Sequence, residues 1–351
     1  ENDCYDLEAF EQIIDSSRNP EELLKAWTGW REIGKPMKDK YMRMVEIGDL
    51  GARDLGYDGL TDLWFSKYDM PAEEFLEETD RVWEEVKPLY DALQCHVREK
   101  LNEHYGDDIV PAEGMLPAHV LGNMWGQSWA NVYDLVFEED PNAVSINLTS
   151  LIEEKDLTER EMVVIAEDFF LSLGFDPLPE TFWERSLFTK PQDRNVVCHA
   201  SAWNLDPDNN DLRIKMCIQK NEEDFVTIHH ELGHIFYYQA YNDLPGVFRG
   251  GANDGFHEAV GDLLALSITP DYLNQIGFVT KAEAEAAEQD PIALLMKQAL
   301  DGVVSIPWTL MLDKWRSGIF TGEITKENLN SSWWELREKY QGITSPMERG
   351  E

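Results

Sequence analysis

The residues His230, Glu231 and His234 form a His-Glu-x-x-His pattern. In a helix, His230 and His234 lie four residues apart on one face, so two neutral imidazoles can share one Zn²⁺ ion. Glu231 is rotated by about 100° from His230, and its carboxylate can reach a water molecule that the metal activates. These residue types at this spacing predict a zinc hydrolase.

Glu258 is the best candidate for the third protein ligand. It lies 24 residues after His234 (258 minus 234), in a segment that is typical of the start of a second helix. Glu258 and Asp262 are four residues apart and share a helix face, so one carboxylate can bind the metal while the other accepts a hydrogen bond from a ligating imidazole. His257 is the alternative ligand, although it points about 100° away from that face.

The segment around His230 has the features of a helix that would hold these side chains. Asn221 can cap the helix, and the three acidic residues after it meet the positive end of the helix dipole. Apolar residues then recur at helical spacing, namely Phe225, Ile228, Leu232, Ile235 and Phe236. We therefore predict one helix that ends before Gly246.

A β-hairpin is predicted before this helix. The run 206–211 is rich in Asp, Asn and Pro, which indicates a turn, and strand-like residues lie on either side of it at 196–197 and 212–215. Such a hairpin would bring Cys198 and Cys217 close enough to form a disulfide. A disulfide would indicate an oxidising compartment.

The rest of the chain is predicted to be mainly helical, with a short strand at 142–146. Proline after a capping residue, proline before acidic residues, and a Thr-x-x-Glu capping box all indicate helix starts. On these signals we predict helices that start near Pro20, Pro71, Thr158 and Pro291, one through 42–47, and a last one over 325–340. Pro88 should bend the helix from Pro71, and Pro307 should bend or break the helix from Pro291.

The composition is that of a folded, acidic protein. The 351 residues include 68 Asp and Glu against 30 Lys and Arg, for a formal charge of −38, and 43% are apolar. This charge argues against nucleic acid or an anionic membrane as a partner, because nothing offsets the repulsion from phosphate. No apolar run approaches the length of a membrane span, and no signal peptide is expected at the N-terminus. Sequons at Asn147 and Asn330 agree with a secreted glycoprotein.

Several motifs together closely resemble the angiotensin-converting enzyme family. They are Ala-Trp-Thr-Gly-Trp-Arg at 26–31, Pro-Ala-His-Val-Leu-Gly-Asn-Met-Trp-Gly-Gln-Ser-Trp at 117–129, Cys-His-Ala-Ser-Ala-Trp at 198–203, His-His-Glu-Leu-Gly-His at 229–234, Gly-Ala-Asn-Asp-Gly-Phe-His-Glu-Ala-Val-Gly-Asp at 251–262, Trp-Trp-Glu-Leu-Arg at 333–337 and Lys-Tyr-Gln-Gly at 339–342. The resemblance spans nearly the whole chain. It implies a mainly α-helical, zincin-type peptidase domain over residues 1–351, with a deep central cleft and a few short strands.

The resemblance implies a zinc peptidyl-dipeptidase that is secreted or part of an extracellular ectodomain. Such an enzyme removes dipeptides from the C-terminus of oligopeptides. By motif position, His230, His234 and Glu258 would bind zinc and Glu231 would be the base. Asp262 would contact a zinc ligand and not the ion itself.

The resemblance also implies residues that bind substrate and chloride. His199 and the backbone of Ala200 would line the substrate, and Gln127 would help to hold its C-terminal carboxylate. The family's monocarboxypeptidase branch has Arg at that position, so Gln127 favours dipeptide release. The matching chloride residues are Arg31, Trp333 and Arg337 at one site and Tyr68 at a second, and Cys198 and Cys217 match a family disulfide. In isolation, Gln127 is more typical of an amide on a helix surface and His199 of a strand histidine. Trp333 with Arg337 is more typical of a stacked pair four residues apart.

The chain departs from the family pattern at both ends. It begins after the family's N-terminal lid helices, and it stops before a Lys-x-His segment and an Arg-Tyr pair that complete the family's active site. We therefore expect a second chain, or a further segment of the same polypeptide, to complete the cleft. The alternative is an incomplete zinc-binding homologue with a binding or structural role. A different zincin endopeptidase is disfavoured by Gln127.

Overall fold

The computed structural model describes residues 5–138, 146–289 and 291–350. Within them the chain is mainly α-helical with a few short strands, which confirms the predicted fold class. The chain divides into two compact units, of which Glu1–Asp140 with Pro291–Glu351 forms the first and Pro141–Asp290 the second. That residues 1–351 act as one peptidase domain stays a prediction. Among the helices of the described residues, none has the length and apolar character needed to cross a bilayer.

The regular elements follow one another closely along the chain. The α-helices are α1 (Leu7–Ser16), α2 (Pro20–Arg31), α3 (Lys38–Asp54), α4 (Leu60–Phe65), α5 (Ala72–Tyr105), α6 (Tyr133–Val136), α7 (Leu148–Glu154), α8 (Glu159–Ser172), α9 (Glu180–Arg185), α10 (Glu222–Asn242), α11 (Asp254–Ala265), α12 (Pro270–Gln275), α13 (Lys281–Gln289), α14 (Pro291–Gln298), α15 (Val304–Thr321) and α16 (Leu329–Leu336). In the described ranges, short 3₁₀ turns lie at Glu32–Met37, Ala130–Val132 and Gly246–Phe248, and π-helical turns lie at Ala299–Val303 and Arg337–Gln341. The strands are β1 (Leu116–Pro117), β2 (Ser201–Asp206), β3 (Asp211–Lys215) and β4 (Ile343–Thr344).

The first unit has an aromatic core. Trp27, Tyr90 and Trp129 are fully buried in it, and the Tyr90 hydroxyl donates to the carbonyl of Gln341 at 2.7 Å. Burial of such large rings supplies much of the driving force for folding. The parallel pair of β1 and β4, in which Leu116 lies opposite Ile343, joins the two parts of the chain that form this unit.

The second unit contains the predicted hairpin. Strands β2 and β3 are antiparallel, with Ser201 opposite Lys215. The turn is fixed to the end of α10 by amides, because Asn204 donates to Asn242 at 2.8 Å and Asn242 donates to Asn210 at 2.9 Å. Asn210 adopts a positive φ of 52°, which Asn tolerates better than most residues. The hairpin therefore has a fixed position on the helix that follows it.

Most of the predicted helix starts are confirmed, and their caps have the expected chemistry. Asn19 accepts a hydrogen bond from the amide of Glu21 at 3.0 Å at the start of α2. Thr158 and Glu161 form a reciprocal capping box at the start of α8. The long helix α5 starts directly after Pro71 and continues through Pro88. These short-range signals were sufficient because each cap involves residues within one turn.

Three details of the predicted elements are different in the structure. Residues 196–197 are not in a strand, because the first pairing with β3 is at Ser201. The last helix starts at Leu329 and not at 325, since the amide of Thr325 donates to the Asn328 side chain at 2.7 Å in a local turn. Pro307 lies inside α15, and the irregular π turn comes just before it. The predicted strand at 142–146 falls largely outside the described residues.

Candidate metal centre

Helix α10 holds two of the predicted ligands. Asn221 accepts a hydrogen bond from the amide of Asp224 at 2.8 Å, and the amide of Glu222 donates to the Thr149 hydroxyl at 2.9 Å. These two contacts satisfy amide groups that the first turn of a helix leaves free. Fully buried apolar residues hold one face of the helix in the core of the second unit, namely Phe225, Ile228, Leu232 and Ile235. The orientation of His230 and His234 is therefore set by the burial of the residues around them.

Two glycines allow α11 to approach α10 very closely. A Cβ atom added at Gly233 would lie 3.0 Å from the Cα atom of Gly261, and one added at Gly261 would lie 2.8 Å from Nδ1 of His230. Real Cβ atoms do not approach neighbours this closely without displacement. The glycine pair therefore lets α11 bring Glu258 against the two histidines.

The side chains of His230, His234 and Glu258 converge on one point. The Nε2 atoms of the two histidines are 3.0 Å apart. Oε2 of Glu258 lies 3.3 Å from Nε2 of His230 and 3.6 Å from Nε2 of His234. Three ligands about 2.0–2.1 Å from a tetrahedral zinc ion would be about 3.3–3.4 Å apart. The donor set and its spacing therefore fit a zinc ion.

The two histidines have different partners on their other ring nitrogen. Asp262 lies 2.9 Å from Nδ1 of His230 through its Oδ1 atom, as the helical spacing predicts. Nδ1 of His234 lies 2.8 Å from Nδ1 of His257. His257 is the alternative ligand that the sequence offers, but its Nδ1 atom lies against Nδ1 of His234, and the group that could hold a metal ion in the described residues is His230, His234 and Glu258.

The electrostatics of the cluster favour a cation. Burial alone would lower the pKa of His230, but its hydrogen bonds to Asp262 and Glu258 raise that pKa to about 10. The hydrogen bonds to the two histidines hold the pKa of Glu258 well below its usual range. Glu258 and Asp262 remain 66% and 76% exposed, so water screens part of this attraction. A bound proton and a bound metal ion would be stabilised by the same negative groups.

Glu231 is the buried carboxylate of the site. The residue is only 6% exposed, and among the described residues its Oε2 atom has no hydrogen-bond partner. Burial raises the pKa of Glu231, while the nearby His230 and His234 act in the opposite direction. A buried carboxylate oxygen without a partner is costly, and such groups are common where a reacting molecule will occupy the space.

The predicted substrate residues lie at the surface of their own units. Gln127 is exposed in the first unit, in the irregular segment after β1. In the second unit, His199 is exposed and Ala200 is half-buried, immediately before β2. The predicted disulfide is present between Cys198 and Cys217, with Cα atoms 5.1 Å apart, and it closes the base of the hairpin.

In the first unit, the buried Arg337 lies near the half-buried Arg31, and their positive charges repel each other. Arg31 donates to the carbonyl of Met124 at 2.6 Å, and Arg337 donates to that of Trp125 at 2.8 Å. In the described part of the chain, neither guanidinium has a carboxylate partner, and Nε of Arg337 has no partner at all. Burial lowers the pKa of Arg31 to about 9, and repulsion from Arg337 contributes; burial lowers the pKa of Arg337 to about 10. Trp333 packs edge-on against Trp308 and Trp315.

Tyr68 has a different electrostatic environment from the arginine pair. It lines an open cavity of about 460 Å³ in the first unit. The charged residues of the lining are all acidic, namely Asp58, Asp62 and Asp69. These carboxylates disfavour an anion beside Tyr68 unless a cationic group is brought to it.

The two predicted glycosylation sites have different surroundings. Asn147 is exposed and caps α7, accepting a hydrogen bond from the amide of Ser150 at 2.9 Å. Asn330 is half-buried in α16, and its amide donates to the carbonyl of Gly350 at 2.8 Å. Asn147 is therefore the more accessible of the two.

A group of tyrosines that the sequence patterns above do not predict surrounds His257. The rings of Tyr237 and Tyr238 are each centred 4.7 Å from that of His257, and the ring of Tyr241 is 6.3 Å away. These tyrosines follow His234 by three, four and seven residues, a spacing that puts them on the same face of α10. That spacing was a usable signal for residues that surround the site.

Comparison with known proteins gives a consistent family match. A sequence model of the family described as angiotensin-converting enzyme matches residues 1–351. Proteins named angiotensin-converting enzyme from Sus scrofa, Bos taurus and Theromyzon tessulatum are 45%, 43% and 40% identical to the chain, each over 99% of its length. The aligned region is 26% of each of the two mammalian proteins and 56% of the Theromyzon protein. The chain therefore spans about a quarter to a half of the length of these relatives.

Proposed function

The chain belongs to the angiotensin-converting enzyme family, and on that premise we propose that it is a zinc metallopeptidase domain that releases dipeptides from the C-terminus of oligopeptides. The observation that carries the proposal is the convergence of His230, His234 and Glu258 beside the unpartnered carboxylate of Glu231. His and Glu side chains are ligands that zinc prefers, and the electrostatic effect of His230, His234 and Glu258 on Glu231 supports a role for Glu231 as the base.

In this proposal, the residues of the second unit have separate roles in peptide hydrolysis. His230, His234 and Glu258 hold the zinc ion, which when bound polarises the scissile carbonyl and acidifies water. Glu231 accepts a proton from the attacking water and returns it to the leaving amine, a role for which its raised pKa is suited. Asp262 orients His230 through the hydrogen bond to Nδ1.

Other residues would bind the peptide. His199 and the backbone of Ala200 directly precede β2, and an extended peptide beside them could form main-chain hydrogen bonds. Gln127 would hold the C-terminal carboxylate of the substrate through its amide, in agreement with its exposure. That a second chain, or a further segment, completes the cleft stays a prediction.

The proposal is tested by Glu231→Gln. We expect this variant to retain one zinc ion per chain and to lose hydrolysis by about 10²–10⁴-fold, because the substitution removes only the proton acceptor. Zinc content is measured by atomic absorption, and activity by mass spectrometry of dipeptides released from an oligopeptide with a free C-terminus. Glu223→Gln, an exposed residue of the same helix, is the matched control. Zinc binding without any dipeptide release by the wild type would favour the alternative of a non-hydrolytic zinc-binding protein.

We also propose that a chloride ion binds between Arg31 and Arg337, with Trp333 in the surrounding aromatic shell. The support is the repulsion between a buried and a half-buried guanidinium that have no carboxylate partner among the described residues, a cost in free energy that an anion would offset. Tyr68 would contribute to a second chloride site only if a cationic group joined it. Chloride, compared with acetate at equal ionic strength, should raise the Tm of the wild type. The rise should disappear in Arg31→Gln and persist in the exposed control Arg43→Gln.

A secreted or ectodomain location is the last part of the proposal. It is supported by the disulfide between Cys198 and Cys217 and by the exposed sequon at Asn147. At Asn330, a glycan would have to displace the hydrogen bond to Gly350. Treatment of the protein from its native source with a glycosidase should therefore reduce the mass of the peptide that contains Asn147.

A further inference from the structure

The contact between His234 and His257 has no role in the proposed function so far. Their Nδ1 atoms are 2.8 Å apart, which is hydrogen-bonding distance. Two imidazole nitrogens can form a hydrogen bond only if one of them carries a proton and the other offers a lone pair. The direction of this hydrogen bond therefore depends on which of the two Nδ1 atoms carries the proton.

Metal binding fixes the direction. If Nε2 of His234 gives its lone pair to zinc, the neutral ring carries its proton on Nδ1 and must donate it. Nδ1 of His257 is then the acceptor, and the proton of His257 is on Nε2. The hydroxyl of Tyr241 lies 3.5 Å from that Nε2 atom. A bound metal thus selects one tautomer in each of the two histidines.

The ring of His257 is held in place on several sides. Tyr237 and Tyr238 pack against it, each with its ring centre 4.7 Å away. A Cβ atom at Gly251 would lie 3.0 Å from Cδ2 of His257, so the backbone of this residue packs directly on the ring. The hydroxyl of Tyr237 accepts a hydrogen bond at 3.0 Å from the amide of Ala252, the next residue. The acceptor atom of His257 is therefore fixed before a metal arrives.

We propose that His257 is a positioning residue that accepts the Nδ1 proton of His234 and so fixes the ring of this zinc ligand. The inference rests on the proposed zinc site. It implies that the two histidine ligands are supported in different ways, since His230 faces the carboxylate of Asp262 and His234 faces a neutral imidazole. The carboxylate of Asp262 adds negative charge and makes His230 a stronger electron-pair donor to the metal. The imidazole of His257 orients His234 without adding charge.

Two substitutions of His257 separate this role from simple packing. His257→Phe keeps a ring against the tyrosines but has no acceptor. His257→Asn has a smaller side chain, but its Oδ1 atom can take the place of Nδ1. We expect zinc to bind about 10–100-fold more weakly to the Phe variant, which is the typical effect of losing the hydrogen-bond partner of a metal ligand. We expect the Asn variant to bind zinc with near wild-type affinity. Affinities are measured by competition with a chelator, together with the Tm of the metal-free proteins to compare folding.

A control and a second readout complete the experiment. His104→Phe makes the same chemical change at an exposed histidine and should leave zinc affinity unchanged. In ¹⁵N-labelled, zinc-loaded wild type, the NMR spectrum should show a proton on Nδ1 of His234 and on Nε2 of His257, and the shift of the His234 proton should change in the Phe variant.

The possible outcomes are distinguishable. If the Phe variant retains zinc affinity while the Asn variant loses it, His257 acts by packing and the inference is wrong. If both variants bind zinc as the wild type does, the inference is wrong and the zinc site stands. If the wild type itself takes up no zinc, the proposed function fails together with the inference.

Discussion

The close approach of Gly261 to His230 makes Gly261→Ala a sensitive test of the site. The added Cβ atom would lie 2.8 Å from Nδ1 and 2.9 Å from Cε1 of the imidazole. Since favourable contacts begin at about 3.5 Å, the ring would have to move by about 0.7 Å. Metal sites tolerate changes in ligand distance of only about 0.2 Å. The substitution should therefore affect metal binding more than folding.

The magnitude follows from the cost of overpacking. Inserting a methyl group into a filled site typically costs about 1–3 kcal/mol, and about 1.4 kcal/mol is a tenfold change in an equilibrium constant. We expect zinc affinity to fall by about 5- to 150-fold. Replacing Gly by Ala inside a helix also gains about 1 kcal/mol of helix propensity. The free energy of unfolding of the metal-free protein should therefore change less than the free energy of zinc binding does.

The assay is chelator competition with purified protein, alongside thermal unfolding without metal. Gly51→Ala is the matched control, because Gly51 lies in α3 and a Cβ atom there would have no neighbour within 4 Å. We expect this control to have unchanged zinc affinity and equal or higher stability. Zinc affinity within twofold of the wild type in Gly261→Ala would refute the reasoning that the glycine is required by the position of His230.

Three further expectations concern the hairpin. The hydrogen bond from Arg213, with a further one from Arg185, lowers the pKa of Asp211 to about 2. Because the pKa of Asp in the unfolded chain is about 3.9, this carboxylate stabilises the fold above that pH, and the stabilisation is lost as pH falls towards 2. Asp211→Asn should therefore flatten the pH dependence of urea unfolding over that interval. Loss of the disulfide in Cys198→Ser with Cys217→Ser, which are 19 residues apart, should lower the free energy of unfolding by about 3 kcal/mol, and added reductant should have no further effect on this variant. Asn242→Ala should lower the free energy of unfolding in urea by about 1–3 kcal/mol, because it removes hydrogen bonds to the half-buried amides of Asn204 and Asn210. An unchanged midpoint would contradict this account of the turn.

The predicted helices around the site were accurate because their signals are local. The caps Asn221 and Asn253 each bond to an amide three residues later, and the pairing of Glu258 with Asp262 depends only on the helical repeat. The pairing of His230 with His234 follows from the same repeat, whereas the repeat alone does not bring Glu258, on a second helix, to them. Periodicity is thus sufficient wherever the relevant residues lie within about one turn of each other.

The contacts that the sequence did not reveal depend on how two helices cross. His257 is rotated away from Glu258 on α11, yet both contact histidines of α10, because the glycine pair brings the backbones so close that His234 fits between the two side chains. No one-dimensional pattern specifies this distance. The strand predicted at 196–197 is wrong for a related reason, since β-propensity does not supply a partner strand, and pairing starts only at Ser201.

The division of the chain into two units has a consequence for the order of folding during synthesis. The unit that contains the candidate metal centre is continuous, from Pro141 to Asp290, whereas the other unit is formed from the chain on either side of it. The pairing of Leu116 with Ile343 spans 227 residues (343 minus 116) and cannot form until nearly all of these residues have left the ribosome. Domains that emerge complete can fold while translation continues. The unit with the candidate metal centre can therefore be folded while the aromatic core of the other unit still lacks its last helices.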